Sequence, residues 1–124
     1  MRYLSLDLGT RRTGVAFYDD ATHIVLPLAT IEHASRAALL AGVREIVTAR
    51  GIEHLFVGLP LLPGGDEGAQ AGIVRQSIVD FAVLGIPVTA IDERYSTPEK
   101  GTADGNAVAA CTILTLGLQK VVDK

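Results

Sequence analysis

The strongest constraint on the fold is a change of hydrophobic period along the chain. Three apolar segments come first, and only short turns separate them. Successive strands that are joined by such short links pair as antiparallel neighbours. The predicted strands of this first part are residues Tyr3 to Leu8, Thr13 to Tyr18 and His23 to Ile31.

After these strands the sequence alternates between helical and strand patterns. A first helix is predicted from Ala34 to Arg50, because its apolar residues recur on one helical face, and Gly51 predicts its end. Further helices are predicted from Ala69 to Val83 and from Asn106 to Val122. The residues predicted to face inward from the first two helices are Leu39, Val43, Ile46 and Val47, then Ile73, Val74, Ile78 and Phe81.

Two more strands, His54 to Leu59 and Val88 to Ile91, separate these helices. Together the segments predict an α/β fold with a five-stranded mixed sheet and the element order β-β-β-α-β-α-β-α. The first strand is expected at the centre of that sheet. With 124 residues the chain is expected to form a single domain, residues 1–124.

Composition narrows the class of protein. The chain is 48% hydrophobic, which is enough to form a buried core. Its net charge of -3 argues against nonspecific binding of nucleic acid through overall charge, but it is compatible with a local basic patch. A single cysteine, Cys111, excludes an intramolecular disulfide and fits a reducing compartment. The sequence shows no secretion signal and no apolar run of membrane-spanning length. We therefore expect a cytoplasmic protein that does not associate with membranes.

Acidic residues close two of the predicted strands. Asp7 ends the first strand, and Glu93 follows the last one. A carboxylate at the tip of a buried strand is costly unless a partner such as a metal ion is present. The crossovers would bring these strand ends to one edge of the sheet, with Asp104 and Asn106 at the start of the last helix as candidate neighbours. Oxygen ligands of this kind suit Mg²⁺ or Mn²⁺.

Such a site would suit phosphodiester hydrolysis. Two metal ions about 3.5–4 Å apart can activate a water, stabilise the transition state and accept the leaving oxygen. Arg11, Arg12 and Arg94 are candidate phosphate contacts, because the guanidinium group matches phosphate oxygens in a bidentate manner.

Each candidate also has a purely structural explanation. Asp7 could be a local acceptor in an ordinary turn. Glu93 and the arginines could be surface residues that are solvated or paired with each other. Asn106 could simply cap the last helix, since Asn is a favoured N-cap residue. The three histidines have no metal-ligand spacing and are expected to be structural or exposed.

Four groups of residues together match the motifs of a known family. They are Asp7 to Ala16 with Asp19 after them, Val57 to Pro60 with the loop Gly65 to Gln70 leading to Val74-Arg75, Asp92 to Thr97, and Ala109-Ala110 with Ile113-Leu114. In this order they resemble the YqgF/RuvX family, the Holliday-junction-resolvase-like or pre-16S rRNA nucleases of bacteria. The resemblance covers nearly the whole chain.

The resemblance implies an RNase H-like fold and nuclease chemistry at acids corresponding to Asp7, Glu93 and one acid at the start of the last helix. Here the sequence departs, because the family's Asp, three residues before the Ala-Ala pair, falls on Asn106. The segment between Thr97 and Asn106 is also short for the family. Three explanations stay open: Asp104 takes the role, Asn106 coordinates weakly through its carbonyl oxygen, or the third acid is absent and activity is reduced.

We therefore predict an RNase H-like nuclease that depends on Mg²⁺ or Mn²⁺ and acts on structured RNA or branched DNA, with pre-16S rRNA end processing placed before junction resolution. Asp7 would bridge the metals, Glu93 would bind one and orient water, and Asn106 or Asp104 would complete the shell. Arg12 and Arg94 would hold phosphates. A monomer and a homodimer are both compatible with this prediction.

Two other classes of function stay open. The Asn106 departure favours a weakened or non-catalytic nucleic-acid-binding module. The turn at Leu6 to Thr10 resembles the phosphate-binding turn of sugar-kinase- and actin-like ATPases, but those proteins need two such domains around a cleft and this length provides one.

Overall fold

A computed structural model describes residues 1–60, 64, 68–92 and 105–122, and the side chains of residues 105–108 and 120–122 lie outside that description. The observed element order agrees with the predicted one, with a short 3-10 turn at Ala82–Leu84 in addition. The elements are β1 (Arg2–Leu8), β2 (Arg12–Asp19), β3 (Ile24–Glu32), α1 (Arg36–Arg50), β4 (His54–Leu59), α2 (Ala69–Phe81), β5 (Val88–Asp92) and α3 (Gly105–Val122).

The sheet has five strands in the order β3-β2-β1-β4-β5, so that β1 is central as predicted. β2 pairs antiparallel with both β1 and β3, as expected from the short links between them. β4 lies parallel to β1 and to β5. Parallel strands end at the same edge of a sheet. The carboxyl ends of β1, β4 and β5 therefore meet at one edge.

Alternation along β1 separates two hydrophobic cores. Leu4 and Leu6 pack into the core that α1 and α2 cover, whereas Tyr3 belongs to the core that α3 covers. This is the two-residue period of a strand whose faces are both buried. Helices thus lie on both faces of the sheet, and each side chain of β1 is assigned to one helix layer or the other.

The ends of α1 follow from local sequence. The Ser35 hydroxyl accepts a hydrogen bond from the Ala38 backbone N–H at 3.1 Å, so α1 begins at Arg36, two residues later than predicted. Gly51 ends α1 in the left-handed conformation, with φ of 62°. A residue without a Cβ adopts this conformation at little cost. The predicted stop at Gly51 is therefore confirmed.

The prediction for α2 was wrong at one inward position and at its end. Val74 and Phe81 are buried, but Ile73 is 50% exposed. The inward position is taken instead by Ser77, which is only 3% exposed. The buried stripe of α2 is narrow because only one side of this helix packs on the sheet. The burial of Ser77 was not predicted because serine is not an apolar residue. The α-helix ends at Phe81 and not at Val83, where the 3-10 turn follows.

Small residues bring α3 close to the sheet. A Cβ atom added at Gly117 would lie 2.6–2.8 Å from ring atoms of Phe56 in β4. Ala16 and Ala110 are fully buried in the same core. No helix in the described part of the chain is long and apolar enough to cross a bilayer.

This close approach predicts opposite effects for two helical glycines. Gly117→Ala should lower the free energy of unfolding by about 1–3 kcal/mol, because the new methyl group overlaps the Phe56 ring. Gly72→Ala, in α2, is the matched control: an added Cβ there meets no atom within 4 Å, and the gain in helix propensity should raise stability by about 0.5–1 kcal/mol. Urea unfolding measures both, and equal effects would contradict the packing of α3.

Candidate nuclease active site

Asp7 lies at the carboxyl end of the central strand and is half-buried. Strand alternation places it on the α3 face, two residues beyond Ser5. The residue opposite Asp7 in β2 is Gly14. On the other side, Leu6 pairs with Val57 of β4, so the next residue of β4, Gly58, lies beside Asp7. The residues at these two positions are glycines, so neither of them contributes a side chain next to Asp7.

A buried hydrogen bond fixes α3 against the strand that carries Asp7. The Ser5 hydroxyl donates to the Ala110 carbonyl oxygen at 2.6 Å, and both residues are fully buried. Asn106 lies in the first turn of α3, one turn before Ala110, so its position is inside the helix and not at the residue before it. Sequence reasoning missed Ser5, although a serine within an otherwise apolar strand was a visible signal.

Three predicted site residues, Glu93, Arg94 and Asp104, lie outside the described residues. The chain reaches Glu93 from Asp92, the exposed last residue of β5, whose Cα partner is Leu59 of β4. Of the predicted acids, the described part of the chain contains Asp7 alone. Within that part no group of three or more His, Cys, Asp or Glu side chains is placed to hold a metal ion.

The turn between β1 and β2 presents two cations. Gly9 permits the turn, because a Cβ atom there would collide with the Arg12 carbonyl oxygen. Arg11 and Arg12 are both exposed and line a shallow depression. Arg12 Nη2 lies 3.5 Å from Glu32 Oε1, but both side chains are more than half exposed, so this ion pair adds little stability. The arginines therefore remain accessible to a phosphate backbone.

His33 ties this turn to the start of α1. Its Nε2 lies 2.8 Å from the hydroxyl of the buried Thr13, and its backbone N–H donates to the Arg11 carbonyl oxygen at 2.9 Å. Burial lowers the pKa of the His33 imidazole below its ordinary value. The ring is therefore a structural partner of Thr13, in keeping with the prediction that the histidines are structural or exposed.

The lowered pKa of His33 predicts a loss of stability in mild acid. The unfolded chain binds a proton near pH 6.5 and the folded chain only at lower pH, so stability is full above that value and falls as pH decreases toward the folded pKa. Thermal unfolding between about pH 7.5 and pH 5.5 should show this decline. His33→Gln should flatten it.

Asp19 matches the family motif but lies at the other end of β2 from the arginine turn. Its carboxylate accepts hydrogen bonds from the Ala21 backbone N–H at 2.9 Å and from Arg2 Nε at 3.3 Å. These contacts, the Ala21 bond first, hold the pKa of Asp19 below its usual range. Its role is to stabilise the β2–β3 turn.

The strand order, the helices on both faces and the acid at the end of the central strand define an RNase H-like protein. RuvC of T. thermophilus, solved with a Holliday junction substrate, shares the fold with a TM-score of 0.67 and 12% identity over 98% of this chain and 96% of that chain. The fowlpox virus Holliday junction resolvase shares it with a TM-score of 0.57 and 13% identity over 100% of both chains. At these identities the likeness is to the fold.

The chain belongs to the RuvX family, whose model, described as a Holliday junction resolvase, matches residues 1–105. A relative from Anaeromyxobacter sp. (strain Fw109-5) is 41% identical over 100 residues, 80% of this chain and 73% of that protein. One from Roseiflexus sp. (strain RS-1) is 34% identical over 127 residues, 91% and 90% of the two chains. Both carry the provisional name pre-16S rRNA nuclease. The chain is therefore a nuclease, a hydrolase that acts on nucleic acid.

The family match stops where α3 begins. It ends at residue 105, one residue before Asn106. The Ala109-Ala110 and Ile113-Leu114 pairs of the predicted motifs lie beyond it, in the buried face of α3. Asn106, the position predicted for the third ligand, therefore lies just outside the residues that the family model matches.

Proposed function

We propose that this chain is a divalent-metal-dependent nuclease that processes the ends of pre-16S rRNA in the cytoplasm, with residues 1–124 forming one nuclease domain. The names of the curated relatives support the substrate class. The observation that carries the proposal is the placement of Asp7, at the carboxyl end of the central strand with glycines on both neighbouring strands.

The residues available at this edge fit Mg²⁺ or Mn²⁺. Asp7 provides a half-buried carboxylate, and the residue opposite it in β2 is a glycine. The proposal requires the Glu93 carboxylate to reach the same edge, and Asn106 or Asp104 to complete the set. All of these donors are oxygens, which both cations prefer. When bound, such cations supply an activated water and neutralise charge on the phosphate.

Side chains of the protein would bind the cation, orient the water and bind the substrate phosphates. Asp7 would hold the cation, and Glu93 would also bind it and orient the attacking water. Arg11, Arg12 and Arg94 would bind the phosphates on either side of the cleaved bond, which positions the substrate backbone without reading its sequence. The hydrogen bond from Ser5 to Ala110 keeps the start of α3 beside β1.

The test is cleavage with defined substrates and metals. Purified protein is incubated with a precursor RNA that carries the 16S rRNA ends and, separately, with a four-way DNA junction, each with Mg²⁺, Mn²⁺ or EDTA. We expect trimming of the RNA ends that requires the cation. An absence of cleavage of either substrate with both cations would reject the proposed activity.

The second candidate is resolution of branched DNA. The description of the family and the fold shared with RuvC favour it. A resolvase must cut two strands, so it would need two active sites and a symmetric homodimer, whereas end trimming needs only a monomer. Cleavage of the four-way junction together with a dimer in analytical ultracentrifugation would favour this candidate over RNA processing.

A further inference from the structure

A small pocket lies at the same edge of the sheet as Asp7 but on the opposite face. Leu8, Gly9 and Thr10 form its β1 side, and the first turns of α1 and α2 form the rest. Its volume is about 110 Å³. One water molecule needs only about 10–15 Å³ by this measure, so the pocket has room for a larger group.

Ser77 indicates that the pocket receives a ligand. The residue lines the pocket and is only 3% exposed. Among the residues that the structure describes, nothing accepts from or donates to its hydroxyl. The hydroxyls of Ser5 and Thr13, which are also buried, both have partners. An unsatisfied buried hydroxyl destabilises a fold, so it calls for a group that completes its hydrogen bonds.

The pocket is formed independently of Ser77. Arg36 joins α1 to α2, with its Nε 3.1 Å from Asp80 Oδ2 and its Nη1 2.7 Å from Gln76 Oε1. The Ser35 hydroxyl is already engaged as the cap of α1. The Arg36 guanidinium and the Ser35 hydroxyl therefore already have partners within the protein. Two polar side chains that could bind a ligand in the pocket are Ser77 and, at the start of α2, Gln70.

The pocket adjoins the arginine turn. His33 lines both the pocket and the depression that contains Arg11 and Arg12. The walls of the pocket are mainly aliphatic, from Leu8, Leu39 and the half-exposed Ile73. A nucleotide carries matching groups in the same order. Its charged phosphate would lie at the arginines, and its flat base, apolar on its faces and polar at its edges, would lie in the pocket. A free inorganic anion would fit such walls poorly.

We propose that this pocket receives one unstacked base of a nucleic-acid strand whose phosphate lies at Arg11, with the Ser77 hydroxyl bonded to the edge of the base. The proposal rests on the proposed function, because it describes how that nuclease holds its substrate. It assigns Ser77 and Gln70 to base binding, and Arg11 to the sequence-independent phosphate contact.

The experiment measures binding rather than cleavage. Fluorescence anisotropy in EDTA compares an RNA hairpin bearing a short single-stranded extension with copies that carry an abasic residue at each extension position in turn. We expect one abasic position to weaken binding to wild-type protein by about 3- to 10-fold, the worth of one or two hydrogen bonds. The ratio of the affinities for the intact and the abasic RNA should fall toward one in Ser77→Ala and in Gln70→Leu, a substitution of an exposed residue.

Two controls distinguish binding of the base from binding of the phosphate, and an effect on binding from an effect on folding. Arg11→Gln should weaken binding of every RNA equally and reduce its salt dependence. Ser77→Ala should raise the melting temperature because it removes an unsatisfied hydroxyl, whereas Ser5→Ala, which breaks the bond to Ala110, should lower it.

The outcomes distinguish the two levels of the proposal. If wild-type protein binds the RNA but no abasic position matters, or if Ser77→Ala and Gln70→Leu keep the full ratio, the base pocket is rejected and the nuclease proposal stands. If wild-type protein binds none of the RNAs, the proposed function is itself rejected.

Discussion

Asp7→Asn should abolish metal-dependent cleavage while leaving the fold intact. The substitution keeps the size of the side chain but removes the negative charge at the end of the central strand. Losing an outer-shell partner of a metal ligand already costs about 10- to 100-fold in metal affinity or activity, so losing the proposed ligand itself should cost at least the upper end of that range. Single-turnover cleavage with Mn²⁺ and calorimetric Mn²⁺ titration measure the two effects.

The matched control for Asp7→Asn is Asp20→Asn. Asp20 is exposed and lies at the opposite end of the sheet, where its backbone N–H bonds to the Met1 carbonyl oxygen. Its substitution should leave cleavage and Mn²⁺ affinity unchanged, since exposed charges contribute little to stability. Cleavage by Asp7→Asn at the wild-type rate would remove Asp7 from the site and with it the observation on which the proposal depends.

Asn106→Asp should strengthen the metal site. It adds one unit of negative charge in the first turn of α3, at the position where the resemblance predicts an acid. Cation affinity rises steeply with the number of charged ligands, so we expect Mn²⁺ affinity and the cleavage rate to increase by about 10-fold or more. An acid in the first turn is also compatible with the helix dipole, so the melting temperature should not fall.

A companion variant decides whether Asp104 already fills this role. Asp104→Asn in the natural background should reduce cleavage strongly if Asp104 is the third ligand, and Asn106→Asp would then add little. If Asp104→Asn has no effect and Asn106→Asp increases cleavage, Asn106 marks a weakened site. Cleavage by neither the natural protein nor Asn106→Asp would favour a nucleic-acid-binding module.

Local pattern was sufficient for most of the fold. Strand and helix order, the central position of β1, the stop at Gly51 and the antiparallel start of the sheet all follow from short-range chemistry. The inward face of α2 did not follow, because Ile73 is exposed and Ser77 is buried in its place. A helical period shows which residues share a face, but only the packed sheet shows which part of that face is covered.

The sequence also singled out Asp7, the arginine turn and the departure at Asn106 as candidate functional features, and their roles stay predictions. It did not reveal the glycines beside Asp7, because Gly14 and Gly58 become its neighbours only when β1 pairs with β2 and β4. The roles of Glu93, Arg94 and Asp104 stay predictions, since these residues lie outside the described part of the chain.

Residue order alone determined the succession of strands and helices and the family, because both are encoded in local periodicity and in short motifs. Tertiary structure decided what surrounds each of these groups: the bond from Ser5 to the Ala110 carbonyl, the glycine opposite Asp7 in β2, and the unsatisfied hydroxyl of Ser77. These features depend on contacts between segments far apart in the chain, and such segments meet only when the sheet and its helices pack together.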